Sequence, residues 1–174
     1  DAFGVDVQGK VAIDVGSSTG GFTEIMLSRG AARVYAVDVG HNQLHWRLRS
    51  DPRVICMEGV NARLLRKEDI PEPCDIATFD VSFISLKLVV LPVLEVLKRP
   101  ADIIALIKPQ FEAGRDQVGK GGVIRDPGVI DEVVTDISAF FCASSLAVDG
   151  VIPSPVKGAK GNQEYLIHAR REGF

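Results

Sequence analysis

The 174-residue sequence predicts a single α/β domain: a mostly parallel, seven-stranded sheet with an antiparallel last strand and helices on both faces. Three observations predict it. Short apolar runs alternate with helix-length segments, as a parallel sheet and its crossover helices do when read along the chain. The first run is followed at once by glycines and small polar residues, in the turn where a doubly wound sheet holds nucleotides. The length suits one hydrophobic core and is too short for two.

Lys10 to Val15 (KVAIDV) is apolar and ends on Asp14 and Gly16, the pattern of a strand buried on both faces. After Gly16 to Gly21, the residues Phe22, Ile25 and Met26 recur at helical spacing, and Gly30 closes that helix. Arg33 to Asp38 is the second strand, His41 to Arg49 a helix stopped by Asp51 and Pro52, and Val54 to Met57 the third strand. Cys74 to Asp80 is the fourth, Leu88 to Leu97 a helix containing Pro92, and Ile103 to Lys108 the fifth. Asp126 and Pro127 form a cap and first-turn pair, after which Val129, Ile130, Val133, Val134, Ile137, Phe140 and Phe141 trace one apolar stripe. Leu146 to Ile152 and Glu164 to Ala169 are joined by a loop too short for a crossover helix, so they pair antiparallel.

Composition narrows the function. With 46% hydrophobic and 25% charged residues the chain is an ordinary globular protein. Cys56, Cys74 and Cys142 are odd in number, scattered and without zinc spacing, which predicts a reducing, cytoplasmic setting. No apolar run approaches the ~20 residues that span a bilayer, and Asp1 to Gly9 lack the regions of a signal peptide, so no membrane partner is expected. The chain opens on Asp1 and meets its first motif almost at once, which reads as a piece of something longer. A net charge of −3 does not attract a polyanion, so an RNA substrate has to be held by a local basic face or by another part of the protein.

The glycine turn reads Asp14, Val15, Gly16, Ser17, Ser18, Thr19, Gly20, Gly21, then Phe22. Its GxxxGG spacing behind an acid differs from the GxGxxG of a nicotinamide site and resembles methyltransferase motif I. Asp38 ends the second strand, where a carboxylate accepts ribose hydroxyls, and Val39 follows it. Asn61, with Ala62 after it, stands where an adenine-binding polar residue is expected, though a turn or capping role fits Asn61 equally well. Asp80, Lys108 and Glu164 sit at three strand ends that converge on one edge of the sheet. The tetrapeptide of amino-directed DNA enzymes is missing after the fourth strand. The only Pro-Cys pair, Pro73 and Cys74, lies at that strand's opposite end, which disfavours cytosine C5 chemistry. A ribose hydroxyl is a weak acid, and methylating it requires a base. A lysine serves when desolvation or a neighbouring cation favours its neutral amine. His41, His45 and His168 lack ligand spacing, so no metal is expected, and Trp46 in an apolar helix pattern reads as structural or surface.

The segments GKVAIDVGSSTGGFT, VGHNQLHWRLRSDPRV, FDVSFISL, LIKPQFE and GNQEYL, in this order, resemble the TlyA family, the hemolysin A group of FtsJ-like rRNA methyltransferases. The likeness covers nearly the whole chain, so residues 1–174 are expected to be one such catalytic domain with a Rossmann-like class I methyltransferase fold. It implies S-adenosylmethionine as cofactor, S-adenosylhomocysteine as product, and ribose 2'-O-methylation of ribosomal RNA or ribosomal subunits. It also implies a Lys-Asp-Lys-Glu tetrad, of which Asp80, Lys108 and Glu164 match the last three members. The first lysine is expected on an upstream helix that this chain lacks, since Lys10 abuts the first strand. An N-terminal S4-type RNA-binding domain is likewise expected outside the sequence.

By position, Arg115, Lys120, Arg125, Lys157 and Lys160 fall in two loops beside the proposed edge and suit phosphate. Three other readings compete with this one. A membrane-active hemolysin needs a signal peptide, a spanning segment or a basic amphipathic helix, which the sequence does not show. A catalytically silent cofactor-binding or RNA-binding module is disfavoured for the whole protein by the three polar residues at strand ends, but the missing first lysine keeps it open for residues 1–174 alone. A nicotinamide dehydrogenase ranks third.

Overall fold

The computed structural model describes residues 2–173. Alternate residues of the first strand β1 (Val11–Val15) are buried on opposite sides: Ile13 and Val15 enter one apolar layer and Ala12 the other. Burial on both faces is why the strand carries no alternating polar residues. Helix α1 (Gly21–Ser28) returns the chain to β2 (Arg33–Asp38), and α2 (Trp46–Arg49) lies between β2 and β3 (Val54–Glu58). Then follow β4 (Cys74–Phe79), α3 (Leu86–Leu94), β5 (Leu97–Ile107), α4 (Pro109–Glu112), α5 (Pro127–Ala143), β6 (Ala147–Pro153) and β7 (Tyr165–Arg171).

The seven strands lie in the order β3-β2-β1-β4-β5-β7-β6, parallel except that β7 runs antiparallel to both β5 and β6. The predicted sheet is therefore the observed one. Helices α3 and α5 cover one face, where Val89, Val93, Ile137 and Phe141 meet Phe79, Ile103 and Ile167. The other face packs Met26 and Leu27 of α1 with Leu44 against Ala36, Val54 and Ile76. Within the α5 stripe, Val133, Ile137 and Phe141 are the buried members. Truncating Phe141 to Ala would cost about 3–5 kcal/mol.

Four elements differ from the reading of the sequence. The helix expected over His41 to Arg49 shrinks to Trp46–Arg49. Its first half instead wraps the carboxylate of Glu58, which accepts the backbone N–H groups of Asn42, Gln43 and Leu44 at 2.7, 2.8 and 3.0 Å. The α3 helix begins two residues before Leu88, because Ser85 caps it by accepting the Lys87 N–H. Leu97 consequently opens β5, which is longer than expected. The segment after Lys108, read as loop, starts with α4, whose first residue is Pro109.

His168 is buried between Asp102, 2.9 Å from its Nε2, and Asp149, 3.5 Å from its Nδ1. This places it in the sheet's support and away from the glycine turn. Among the described residues no helix is long and apolar enough to cross a membrane.

Candidate active site

β1, β4 and β5 all end at one edge of the sheet, and the antiparallel β7 begins there. The glycine turn therefore shares an edge with Asp80, Lys108 and Glu164. Gly16 has φ +79°, and a Cβ there would stand 2.5 Å from the Asp80 carbonyl oxygen. Only glycine lets the end of β1 pass so close to the end of β4. The N–H groups of Gly16 and Ser17 donate to the Val37 carbonyl at 2.8 and 3.1 Å, and Ser18 N–H donates to Asp38 Oδ2 at 2.8 Å. The other Asp38 oxygen accepts Gly40 N–H at 2.7 Å.

A cavity of about 530 Å³ opens at this edge, and its wall includes Gly16, Ser18, Asp38, Val39, Asn61, Ala62, Arg63 and Asp80. The remaining residues of the motif support it from behind. Asp14 is buried, with Oδ2 accepting from the Thr23 N–H and hydroxyl at 3.0 and 2.7 Å and Oδ1 from the Thr78 hydroxyl at 2.8 Å. Burial outweighs those three bonds and lifts its carboxyl to about 6. Ser17 is buried, and its hydroxyl has no partner among the described residues. The Thr19 carbonyl accepts the His45 N–H at 3.1 Å, Gly20 faces Leu44 and Leu48, Gly21 begins α1, and Phe22 packs into the apolar layer beneath. Glycines 16 and 20 thus make room for other parts of the protein. Asn61 lines the cavity and also caps a short 3₁₀ turn by accepting the Arg63 N–H at 3.1 Å.

Behind the cavity-lining residues Asp80 and Ser82, the Lys108 ammonium stands 2.6 Å from Asp80 Oδ1 and donates to the Ser82 hydroxyl at 3.0 Å. Lys108 is buried, whereas the Asp80 side chain is 40% exposed, so the pair has one dry member and one wet one. The β5–β7 register pairs Ile107 with Tyr165, and one step further sets Lys108 opposite Glu164. Glu164 is also buried, and its Oε1 accepts from the Gln110 amide at 2.9 Å. The structure thus brings Lys108 and Asp80 into direct contact and sets Glu164 beside them on the sheet edge, fastened through Gln110.

Ser82, Phe83, Ser85, Gln110, Phe111 and Glu112 were not singled out in the sequence. Phe83, 89% exposed and at φ +63°, leans against Phe111 with ring centroids 4.8 Å apart and ring planes tilted by 49°. It walls both the first cavity and a second of about 520 Å³ that Gln110, Phe111 and Arg115 also line. Glu112 receives the Ser85 hydroxyl at 2.6 Å and the Leu86 N–H at 2.8 Å, tying α4 to the start of α3. Burial lifts its carboxyl above the ordinary range. The only sequence signal was a bare aromatic in a serine-flanked loop directly after Asp80.

Arg115, Lys120, Arg125, Lys157 and Lys160 are all exposed. Asn162 joins the two loops that carry them: its Oδ1 accepts the Ile124 N–H at 3.1 Å and its amide donates to the Gly122 carbonyl at 2.8 Å. Lys160 adds a bond to the Gly121 carbonyl at 2.5 Å. Cys74 lies at the far end of β4, fully buried, with its thiol pushed up to about 12 by burial, and is no nucleophile.

Comparison with known proteins places the family and the fold. The FtsJ-like methyltransferase family model matches residues 1–171. A Mycobacterium tuberculosis protein named 16S/23S rRNA (cytidine-2'-O)-methyltransferase TlyA is 45% identical over 172 residues, a match covering 99% of this chain and 64% of that protein. The chain spans about three fifths of the length of the curated relatives it matches, 61% and 64% for two of them. A Lactococcus lactis structure described as a hemolysin is 46% identical, with a TM-score of 0.96, covering 99% of this chain and 83% of that one. A Mesorhizobium loti S-adenosylmethionine-dependent methyltransferase shares the fold at 15% identity and a TM-score of 0.70, covering 98% and 94%. The resemblance carried by the five segments is borne out.

Proposed function

Because this chain belongs to the FtsJ-like methyltransferase family, we propose that it moves a methyl group from S-adenosylmethionine to a ribose 2'-hydroxyl of ribosomal RNA, acting in the cytoplasm on ribosomal subunits. The observation that carries this reading is the Lys108–Asp80 pair at 2.6 Å, whose Asp80 lines the same cavity as Gly16 and Asp38.

The cavity residues fit the cofactor. Each Asp38 oxygen spends one lone pair on a backbone N–H and keeps capacity for a ribose hydroxyl. Val39, Val60 and Val89 add an apolar wall beside Asn61, suited to a flat heterocycle. When bound, S-adenosylmethionine supplies a methyl group on a sulfonium centre, ready for attack by an oxygen nucleophile.

The chain's own residues prepare that oxygen. Lys108 is the group positioned to take the hydroxyl proton once its ammonium has passed one of its own protons through the half-exposed Asp80 carboxylate to solvent, since a ribose hydroxyl does not ionise unaided near neutrality. Asp80 and Ser82 fix the amine, leaving it one aim. Glu164, held by Gln110, is proposed to orient the ribose from the opposite strand. The exposed ring of Phe83 over Phe111 offers the target base a stacking wall. Lys10 precedes β1 at the opposite edge, near Asp75, so the first lysine of the implied tetrad is assigned to none of the described residues.

Methyl-labelled cofactor incubated with the purified protein and ribosomal subunits, followed by mapping of the label, tests this. Label on a ribose oxygen is expected. Label on a base, or on ribose at an unchanged rate after Lys108→Ala, would overturn the reading.

A further inference from the structure

The chain's single tryptophan is not part of its core. Helix α2 buries none of its four residues, and Trp46 is 66% exposed. The packing expected of this helix is done by Leu44 and Leu48, which close on the glycine turn at Gly20. Trp46 is instead dressed for contact. The Arg47 guanidinium lies 5.6 Å from the centre of the indole ring, and the His45 ring stands 6.0 Å away.

The charge around it has one sign. Residues 41–67 carry six arginine and lysine side chains against two carboxylates, Asp51 and Glu58, in a chain whose net charge is −3. Both carboxylates are engaged, Asp51 by Arg53 and Glu58 by Arg49, each at 2.8 Å. Among the described residues Arg47 and Arg63 have no ion-pair partner, and Arg63 stands on the cavity wall. An exposed indole under a guanidinium, flanked by unpaired arginines, matches a platform on which an unpaired base stacks while its phosphates meet cations.

We infer that the α2 corner, with Trp46 as its platform and Arg47 and Arg63 as its phosphate contacts, binds an unpaired nucleotide of the RNA substrate at a position other than the methylated one. The inference rests on reading the chain as an RNA-modifying enzyme. The strand order supplies the separation: α2 follows β2, three strand spacings from Lys108 at the end of β5, on the order of 14 Å. A single nucleotide does not occupy both places. Stacking is tolerant of base identity, so the platform adds affinity and register and leaves sequence choice to other contacts.

Because Trp46 is the only indole, its emission reports this site alone. The experiment titrates the protein with a single-stranded oligoribonucleotide, an A-form RNA duplex and inorganic polyphosphate, following indole emission and the anisotropy of labelled RNA. Single-stranded RNA is expected to quench the emission, and the duplex and polyphosphate to bind without quenching. Trp46→Ala is expected to weaken single-strand binding about tenfold and raise KM for RNA at unchanged kcat, with Trp46→Phe recovering most of the loss. Calorimetric affinity for S-adenosylmethionine should hold in both variants, which also reports that they fold. Unquenched emission at saturating RNA, or wild-type RNA affinity in Trp46→Ala, overturns the inference. So does an emission change that follows protein concentration alongside a dimer in sedimentation, which marks a protein contact. Failure of the methyltransferase reading looks different: quenching by single strands persists and no methyl group is transferred.

Discussion

The two halves of the cleft are held by different kinds of bond. On the β2–β3 side, carboxylates grip the backbone: Asp38 accepts from Ser18 and Gly40, and Glu58 from Asn42, Gln43 and Leu44. On the β4–β5–β7 side, side chains grip side chains: Lys108 with Asp80 and Ser82, Gln110 with Glu164, Ser85 with Glu112. A backbone mould keeps its shape through most substitutions and fails when its anchoring carboxylate goes. A side-chain assembly loses one function at each deletion while the sheet beneath stands. Cofactor affinity and methyl transfer should therefore separate by mutation.

The sharpest test is Lys108→Ala, expected to lower kcat about 10³-fold with cofactor affinity within about twofold of wild type. Single-turnover rates and calorimetry read the two quantities. Equal losses in both would show that the halves are one unit.

Asp14 lies at the seam, bonded to Thr23 of α1 and Thr78 of β4, and tests whether the halves share a foundation. Its folded carboxyl titrates near 6, against an ordinary value of 3.8. Between those values the folded chain binds the extra proton, so this group's stabilisation is complete below about 4 and is lost as pH rises through 6. Asp14→Asn keeps an oxygen toward Thr23 and offers an amide to the Thr78 hydroxyl. It should therefore remove this slope, on the order of 3 kcal/mol across the window, as read by denaturant melts at successive pH values. A variant with the wild-type slope would place the titration elsewhere.

Asp38→Ala should weaken cofactor binding roughly 10- to 100-fold through lost charge-assisted bonds while kcat at saturating cofactor changes little. Smallest is Gln110→Ala, which leaves Glu164 without its amide donor: kcat should fall roughly tenfold at constant cofactor affinity. A raised cofactor Kd there would mean that the side-chain assembly also shapes the mould.

The same contrast explains what was legible in the sequence. The mould is local: Asp14, Gly16 and Ser18 are near neighbours along the chain, and Asp38 follows at the end of the next strand, so spacing alone placed the glycine turn and its carboxylate. The parallel sheet and its antiparallel last strand followed from periodicity and loop length, whereas the order of the strands was read only from the structure. The helix expected over His41 to Arg49 failed in its first half because Glu58, fourteen to sixteen residues downstream, collects the backbone donors that a helix would have used. Gln110 meets Glu164 across 54 positions and Ser85 meets Glu112 across 27, pairings that no local pattern encodes. Phe83 carries no local signal of its role, because its exposure and its contact with Phe111, 28 residues on, are set by the fold.

Asn162 has a consequence for motion. One buried amide clasps Ile124 and Gly122 from the neighbouring loop, so the stretch that carries Lys120 and Arg125 and the stretch that carries Lys157 and Lys160 are buttoned together. Their cations then travel as a single flap, and deuterium uptake at Ile124 and Gly158 should proceed with one common opening rate.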